Sequence, residues 1–173
     1  VFSQGADVNC MHGTLKPLHC ACMVADADCV ELLLQKGAEV NALDGYNRTA
    51  LHYAAEKDET CVEILLEYGA NPNALDGNKD TPLHLALLVR GLGTEREDSC
   101  FDLLHRAIGH FELRKNGSMP WEVTRDQQLC EKLTLLCSAP GTLQTLSRYA
   151  VRRSLGVRFL PEAVKQLAVA PLP

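Results

Sequence analysis

GAEVNALDGYNRTALH (residues 37–52) and GANPNALDGNKDTPLH (residues 69–84) are one phrase written twice, and the two copies lie 32 residues apart. Ten of their sixteen positions are identical. A fainter copy, GADVNCMHGTLKPLH, occupies residues 5–19, a further 32 residues upstream. A fixed period of this length is typical of a protein built from stacked repeats, each of which buries its apolar face against the next.

The order of residue types within the phrase predicts a unit of turn, helix and helix. Gly37 and Gly69 each follow an apolar helical pattern, where the left-handed cap of a helix C-terminus favours glycine. Asn-Ala-Leu-Asp-Gly at 41–45, repeated at 73–77, is typical of a turn. Two short apolar helices follow each turn. We therefore predict an all-α, elongated solenoid.

The residues after each turn resemble a known repeat. In Thr-Pro-Leu-His at 81–84, threonine can cap a helix and proline takes the first helical position, which needs no N–H. Residues 49–52 differ only by alanine in place of proline. This signature resembles that of the ankyrin repeat. The resemblance implies an ankyrin solenoid whose signature histidines, His19, His52 and His84, hydrogen-bond within and between neighbouring hairpins.

The repeats set the expected domain boundaries. We predict an ankyrin domain over residues 1–123, with units at 5–36, 37–68 and 69–108 and a degenerate unit at 109–123. The third unit departs from the pattern after Ala86, where a polar, glycine-bearing loop at 91–98 is expected to end its first helix. The next helix is predicted from Cys100 to Ile108, with Ser99 as its cap.

The cysteines allow a second reading, a metal-dependent or thiol enzyme. Five candidate metal ligands fall close together: Cys10, His12, His19, Cys20 and Cys22. Alignment of the repeats places Cys20 and Cys22 at the helix positions of Tyr53 and Ala55. We therefore interpret these thiols as small buried residues in a reducing compartment, and predict no metal and no cofactor.

The sequence carries no motif of a common catalytic or membrane-spanning protein. It lacks a Gly-x-Ser-x-Gly elbow and a Gly-x-x-x-x-Gly-Lys phosphate loop. Its longest apolar run, residues 20–25, is too short to span a bilayer, and no signal-peptide pattern is present. We predict a non-catalytic, cytoplasmic protein without a membrane partner.

Charge separates the end of the chain from the rest. Residues 1–137 hold 12 Lys and Arg against 21 Asp and Glu, a net charge of −9, whereas residues 138–173 hold 5 against 1, a net of +4. The tail has neither a basic run nor a Gly-rich stretch, so we predict no nucleic-acid partner. It is nevertheless a distinct segment.

An amphipathic helix is predicted at the start of this tail. Thr142 is suited to cap it and Gly156 to end it. Leu143, Leu146 and the pair Ala150-Val151 share one face, with arginines on the other side. From these residues alone, the helix is expected to dock on the array.

The residue order of this helix resembles the elongin-binding (BC) box that opens a SOCS box. That pattern is a small residue, Leu, three variable residues, Cys, Arg and then an apolar residue; Ser147 stands in the place of Cys. The resemblance implies that Leu143 inserts into a pocket on elongin C. It implies the elongin-binding set Thr142, Leu143, Leu146, Ser147, Ala150 and Val151.

A SOCS box also contacts a cullin through a Leu-Pro-x-Pro stretch and a further helix. The resemblance implies a cullin-binding set of Leu160, Pro161, Pro171, Leu172 and Pro173. Because no second amphipathic helix follows, we expect the SOCS box region, residues 124–173, to be C-terminally incomplete and to recruit the cullin weakly. We also expect this chain to be part of a longer protein, because it begins without methionine.

An ankyrin array followed by a SOCS box is the layout of the ankyrin repeat and SOCS box family. Membership implies a substrate receptor of a cullin-RING ubiquitin ligase, with elongin C, elongin B, a cullin and an unidentified substrate protein as partners. The alternative is an ankyrin-repeat scaffold or competitive inhibitor without ligase recruitment.

Overall fold

The computed structural model describes residues 5–90, 97–108, 114, 117–119, 121–124, 127–138, 143–156 and 161–162. These residues form α1 (Pro17–Met23), α2 (Ala27–Gln35), α3 (Ala50–Ala55), α4 (Glu59–Glu67), α5 (Pro82–Arg90), α6 (Glu97–Ala107), α7 (Trp121–Thr124), α8 (Gln127–Ser138) and α9 (Leu143–Leu155). The described residues contain no β-strand, and His12 and Leu15 form an isolated bridge. The all-α prediction is confirmed.

The helices stack in two rows. Helices α1, α3 and α5 contact one another in sequence and form an inner row, and α2, α4 and α6 form an outer row. The core lies between the rows, where each unit contributes a leucine that is almost fully buried: Leu33, Leu51, Leu65, Leu83 and Leu104. Ala54 and Ala55 are also buried, which lets neighbouring helices approach closely. Each unit therefore completes the core of the next.

Local chemistry fixes the ends of the outer helices. Asp26 and Asp58 cap α2 and α4, because their carboxylates accept hydrogen bonds from the N–H groups of Cys29 and Cys61 at 3.0 Å. The same helices end just before Gly37 and Gly69, which have φ values of +92° and +85°. The glycine caps predicted from sequence are confirmed.

The tips of the hairpins that precede each inner helix touch one another. The N–H of Gly45 donates to the carbonyl of Thr14, and the N–H of Gly77 donates to that of Tyr46, both at 3.0 Å. A Cβ on Gly45 would lie 2.9 Å from the Cβ of Thr14. Glycine is therefore needed there because two backbones approach closely.

The third unit differs from the sequence prediction at one helix end. Helix α5 ends at Arg90, before the predicted loop, but α6 begins at Glu97 rather than at Cys100. The prediction that Ser99 caps this helix is wrong, because the helix opens with an acidic pair, a residue type that the positive end of a helix dipole favours. Most of the degenerate unit at 109–123 lies outside the described residues.

Candidate functional site

Helix α9 presents apolar side chains to solvent. Leu143 is 81% exposed, Leu146 is 47% exposed and Val151 is 43% exposed. Ser147 and Ala150 are also exposed. Leu143, Leu146 and Ala150 follow one another at spacings of three and four residues, so they lie on one helix face. Large apolar side chains grouped in this way make the exposed face of α9 a candidate protein-binding surface.

The other side of α9 is fastened to the array. Nη1 of Arg152 donates a hydrogen bond of 2.6 Å to the backbone oxygen of Leu66, in the last turn of α4. The last carbonyls of a helix lack intrahelical partners and carry its negative dipole end, so a cation is stabilised there. Burial lowers the pKa of Arg152, but a guanidinium remains charged. Arg152 therefore anchors α9.

A groove of about 680 Å³ lies between α4, α6 and α9. Its apolar wall residues are Leu66, Leu103, Ala107, Val151 and Leu155. Glu67 lines it too, and the pKa of this carboxyl is raised by burial and by the charges of Glu63 and Glu31. Pro161, one of the residues assigned to the cullin, is exposed and lines the same groove.

The structure places six of the eleven sequence-predicted site residues. Leu143, Leu146, Ser147 and Ala150 are exposed on α9, and Val151 is exposed at the edge of the groove. Pro161 is the sixth. Five lie outside the described residues: Thr142, Leu160, Pro171, Leu172 and Pro173.

The signature histidines hold the array together. Nδ1 of His52 accepts a hydrogen bond from the N–H of Thr49 at 3.1 Å, so Nε2 carries the proton and donates to the carbonyl of Asp80 at 3.0 Å. Nε2 of His19 also reaches the next unit, where it lies 3.1 Å from the carbonyl oxygen of Ala42. Burial lowers the pKa of both imidazoles. The predicted bonds within and between hairpins are confirmed for His19 and His52, and the bond within the hairpin is confirmed for His84, which accepts from the N–H of Thr81 at 3.2 Å.

A polar cluster at the hairpin tips was not recognised in the sequence. The Asp44 carboxylate accepts hydrogen bonds from the N–H groups of Tyr46 and Arg48, and from the hydroxyl of Tyr53. Arg48 Nε lies 3.3 Å from the carboxylate of Asp76 in the next unit. The sequence signal that could have indicated this cluster is the aspartate at the same position of two successive turns, Asp44 and Asp76.

The cysteines do not assemble into a site in the described part of the chain, where no three His, Cys, Asp or Glu side chains are placed to hold a metal ion. Burial, with Asp58 nearby, raises the pKa of Cys61 to about 12, and burial raises that of Cys22. Both thiols therefore stay protonated and unreactive. The prediction that Cys20 is buried is wrong, because its helix position faces outward, where even the larger Tyr53 is only half-buried.

The described helices are too short or too polar to cross a membrane. Residues 1–76 and 18–112 match the family described as ankyrin repeats in three copies. The chain belongs to the ankyrin-repeat family. The paired helices and linked hairpins described above are its ankyrin array.

Relatives of this ankyrin-repeat chain share a longer architecture. Over 89 residues it is 80% identical to Ankyrin repeat and SOCS box protein 8 of Bos taurus. It is 79% identical to the proteins of that name from Homo sapiens and Mus musculus. The aligned region makes up 51% of this chain but 30% of each relative. The match thus covers less than a third of the relatives' length.

Proposed function

We propose that this chain is the substrate-recognition subunit of an elongin BC, cullin-RING ubiquitin ligase. The ankyrin array binds the target protein, and α9 binds elongin C, which brings elongin B. The chain does no bond chemistry and acts in the cytoplasm. It contributes proximity, because holding a substrate lysine beside the ubiquitin thioester replaces a bimolecular encounter with a local one.

The exposed face of α9 carries this proposal. Leu143 is 81% exposed, and burial of its side chain by a partner would stabilise the complex by about 1.5–3 kcal/mol. Leu143 precedes Leu146 and Ser147 on that face, in the order of an elongin-binding box. Because Arg152 holds the opposite side of α9 on the array, the apolar face stays available to a partner.

The name of the relatives supports the same assignment, since it joins ankyrin repeats to a SOCS box. We accordingly propose that residues 1–123 form the array and residues 124–173 the SOCS box region. Thr142 completes the elongin-binding set as the cap of α9. Pro161 is exposed beside α9 and supports a cullin contact there, to which Leu160, Pro171, Leu172 and Pro173 would contribute.

Reconstitution with purified proteins tests the proposal. The chain is mixed with an elongin B–elongin C complex and the mixture is separated by size-exclusion chromatography. We expect a stable ternary complex, onto which a purified cullin of the SOCS-box class is then titrated. If the chain elutes apart from the elongins, it is an ankyrin-repeat scaffold without ligase recruitment. If elongins bind but the cullin does not, the chain competes with complete receptors.

A further inference from the structure

The hairpin tips carry a row of exposed apolar side chains. Met11, Leu43 and Leu75 occupy the same position in three successive units and are 52%, 48% and 56% exposed. Tyr46, in the tip of the second hairpin, is 65% exposed. We call these four residues the tip surface. One exposed leucine is ordinary on a protein surface, but the same exposure repeated in three successive units forms a row that a partner can cover.

The tips are held in fixed register. The backbone hydrogen bonds from Gly45 to Thr14 and from Gly77 to Tyr46 join each tip to the one before it. Asp44 and Asp76 brace the individual turns by accepting N–H groups at 2.7–2.9 Å. A partner therefore meets a surface that loses little conformational freedom on binding.

A cavity of about 510 Å³ opens beside Tyr46, between the second and third tips. Arg48 and Asp76 line it. Two further carboxylates contact residues that line it: Asp44 accepts from the Tyr53 hydroxyl, and Glu56 is 3.5 Å from Arg48. Three carboxylates against one guanidinium leave a net charge of −2.

Asp44 and Asp76 are held in the charged form at neutral pH. Burial alone would raise the pKa of Asp76, but hydrogen bonds from the N–H groups of Asp80 and Asn78 outweigh it and hold the pKa below its ordinary value. The Tyr53 hydroxyl and two backbone N–H groups do the same for Asp44. Arg48 and Asp76 neutralise each other within the lining, so the negative charge of Asp44 and Glu56 around it makes the cavity more favourable for a cation than for an anion.

The charge of the surrounding array has the same sign. Residues 5–88 hold 13 Asp and Glu against 5 Lys and Arg, a net of −8. A field of this sign draws basic partners toward the surface and speeds their association.

We propose that the tip surface binds an extended segment of the substrate protein that carries both apolar and basic side chains. A lysine or arginine enters the cavity and lies against the Tyr46 ring, whose face attracts a cation. Apolar side chains on either side of it cover Leu43 and Leu75. This inference rests on the proposed function, because it names the chemistry of the substrate that the receptor recognises.

Two synthetic peptides test the surface by fluorescence anisotropy with the 173-residue chain. Both are fluorescein-labelled, one with the repeated unit Leu-Arg-Ser and the other with Leu-Glu-Ser. We expect the arginine peptide to bind about tenfold more tightly, and added salt to reduce the difference. Equal binding of the two peptides, or no binding of either, would overturn the inference.

Variants separate a local site from overall charge. Tyr46→Ala and Glu56→Gln should each weaken binding of the arginine peptide by about threefold or more. Glu63→Gln removes the same charge from the groove near α9 and should leave that binding unchanged. An equal loss in Glu56→Gln and Glu63→Gln would place the peptide elsewhere. Circular dichroism of each variant checks that the array is folded.

Elongin binding is measured on the same preparations. Tip variants that lose the peptide but keep elongins support both proposals. A wild-type chain that binds the peptide but not the elongins overturns the ligase function and leaves the tip surface in place. A chain that binds elongins but discriminates neither peptide overturns the tip surface alone.

Discussion

The guanidinium of Arg152 lies 2.6 Å from the backbone oxygen of Leu66, a residue 86 positions earlier in the chain. This contact joins the helix that carries the proposed elongin-binding face to the outer row of the array. Since the bond ends in the last turn of α4, it holds α9 beside the C-terminal end of that helix. The proposed elongin-binding face is thus attached to the array that carries the proposed substrate surface.

Replacing Arg152 with methionine should loosen α9 from the array. The apolar stem is kept while the charged hydrogen bond is lost, at a cost of about 1.5–3 kcal/mol. We expect faster amide hydrogen exchange throughout α9 and little change in α1 to α4. Arg153→Met is the matched control, because Arg153 is exposed on the same helix. Unchanged exchange in α9 of the Arg152 variant would show that the bond does not anchor it.

Leu143→Asp should abolish capture of the elongin B–elongin C complex. A carboxylate carried into an apolar pocket without a partner costs several kcal/mol, which is the size of a hot-spot loss. Leu135→Asp makes the same change at a leucine of α8 that is 71% exposed, and should be captured normally. Pull-down of the elongin B–elongin C complex with both variants measures the effect. If Leu143→Asp still captured the elongins, the exposed face of α9 would not be the elongin-binding surface.

Gly45→Ala should destabilise the array by about 1–3 kcal/mol, because the added methyl group would lie 2.9 Å from the Cβ of Thr14. Thermal or urea unfolding measures the loss. In the double variant with Thr14→Gly the clash is gone, so the combined effect should be smaller than the sum of the single effects. Strict additivity would mean that the tips do not touch.

The array should lose stability as the pH falls below about 6.5. Burial lowers the pKa of His19 and His52 from the ordinary value of 6.5, so in this range the unfolded chain binds more protons than the folded one. Asp44 and Asp76, whose pKa values are also lowered, add a second loss only below about pH 4. Melting temperatures between pH 8 and 5 test this, and a flat profile would contradict it.

Thiol reactivity should divide the cysteines by position. Cys10 and Cys20 are exposed and should react rapidly with a thiol reagent in the native state. Cys22 and Cys61 are buried, with raised pKa values, and should react only after unfolding. Mass spectrometry of the labelled chain identifies the modified residues. Early labelling of Cys61 would mean that the core opens in the native state.

The period of the sequence made the fold predictable. Once the phrase at 37–52 is aligned with that at 69–84, glycine caps, helix order and the signature histidines follow from local rules. The start of α6 was missed because a serine and an acidic pair compete as N-terminal signals, and the loop before it has no counterpart in the other units.

The candidate site was predictable only in part. The face of α9 follows from the spacing of Leu143 and Leu146, which is local information. Its anchor does not, because nothing near Arg152 in the sequence points to a backbone oxygen of α4. The turns at the tips were predicted, but the contact of Gly45 with Thr14 of the preceding hairpin was not, because nothing near Gly45 in the sequence points to it. The left-handed residues within the turns are Asn47 and Lys79, with φ values of +59° and +63°.

The histidine bonds that join neighbouring units point the same way along the chain. His19 reaches into the second unit and His52 into the third, where they meet the carbonyls of Ala42 and Asp80. Removing a following unit takes this carbonyl away and leaves the preceding buried imidazole without its partner, whereas removing a preceding unit leaves the later imidazole paired. The array should therefore tolerate shortening from its N-terminal side better than from its C-terminal side.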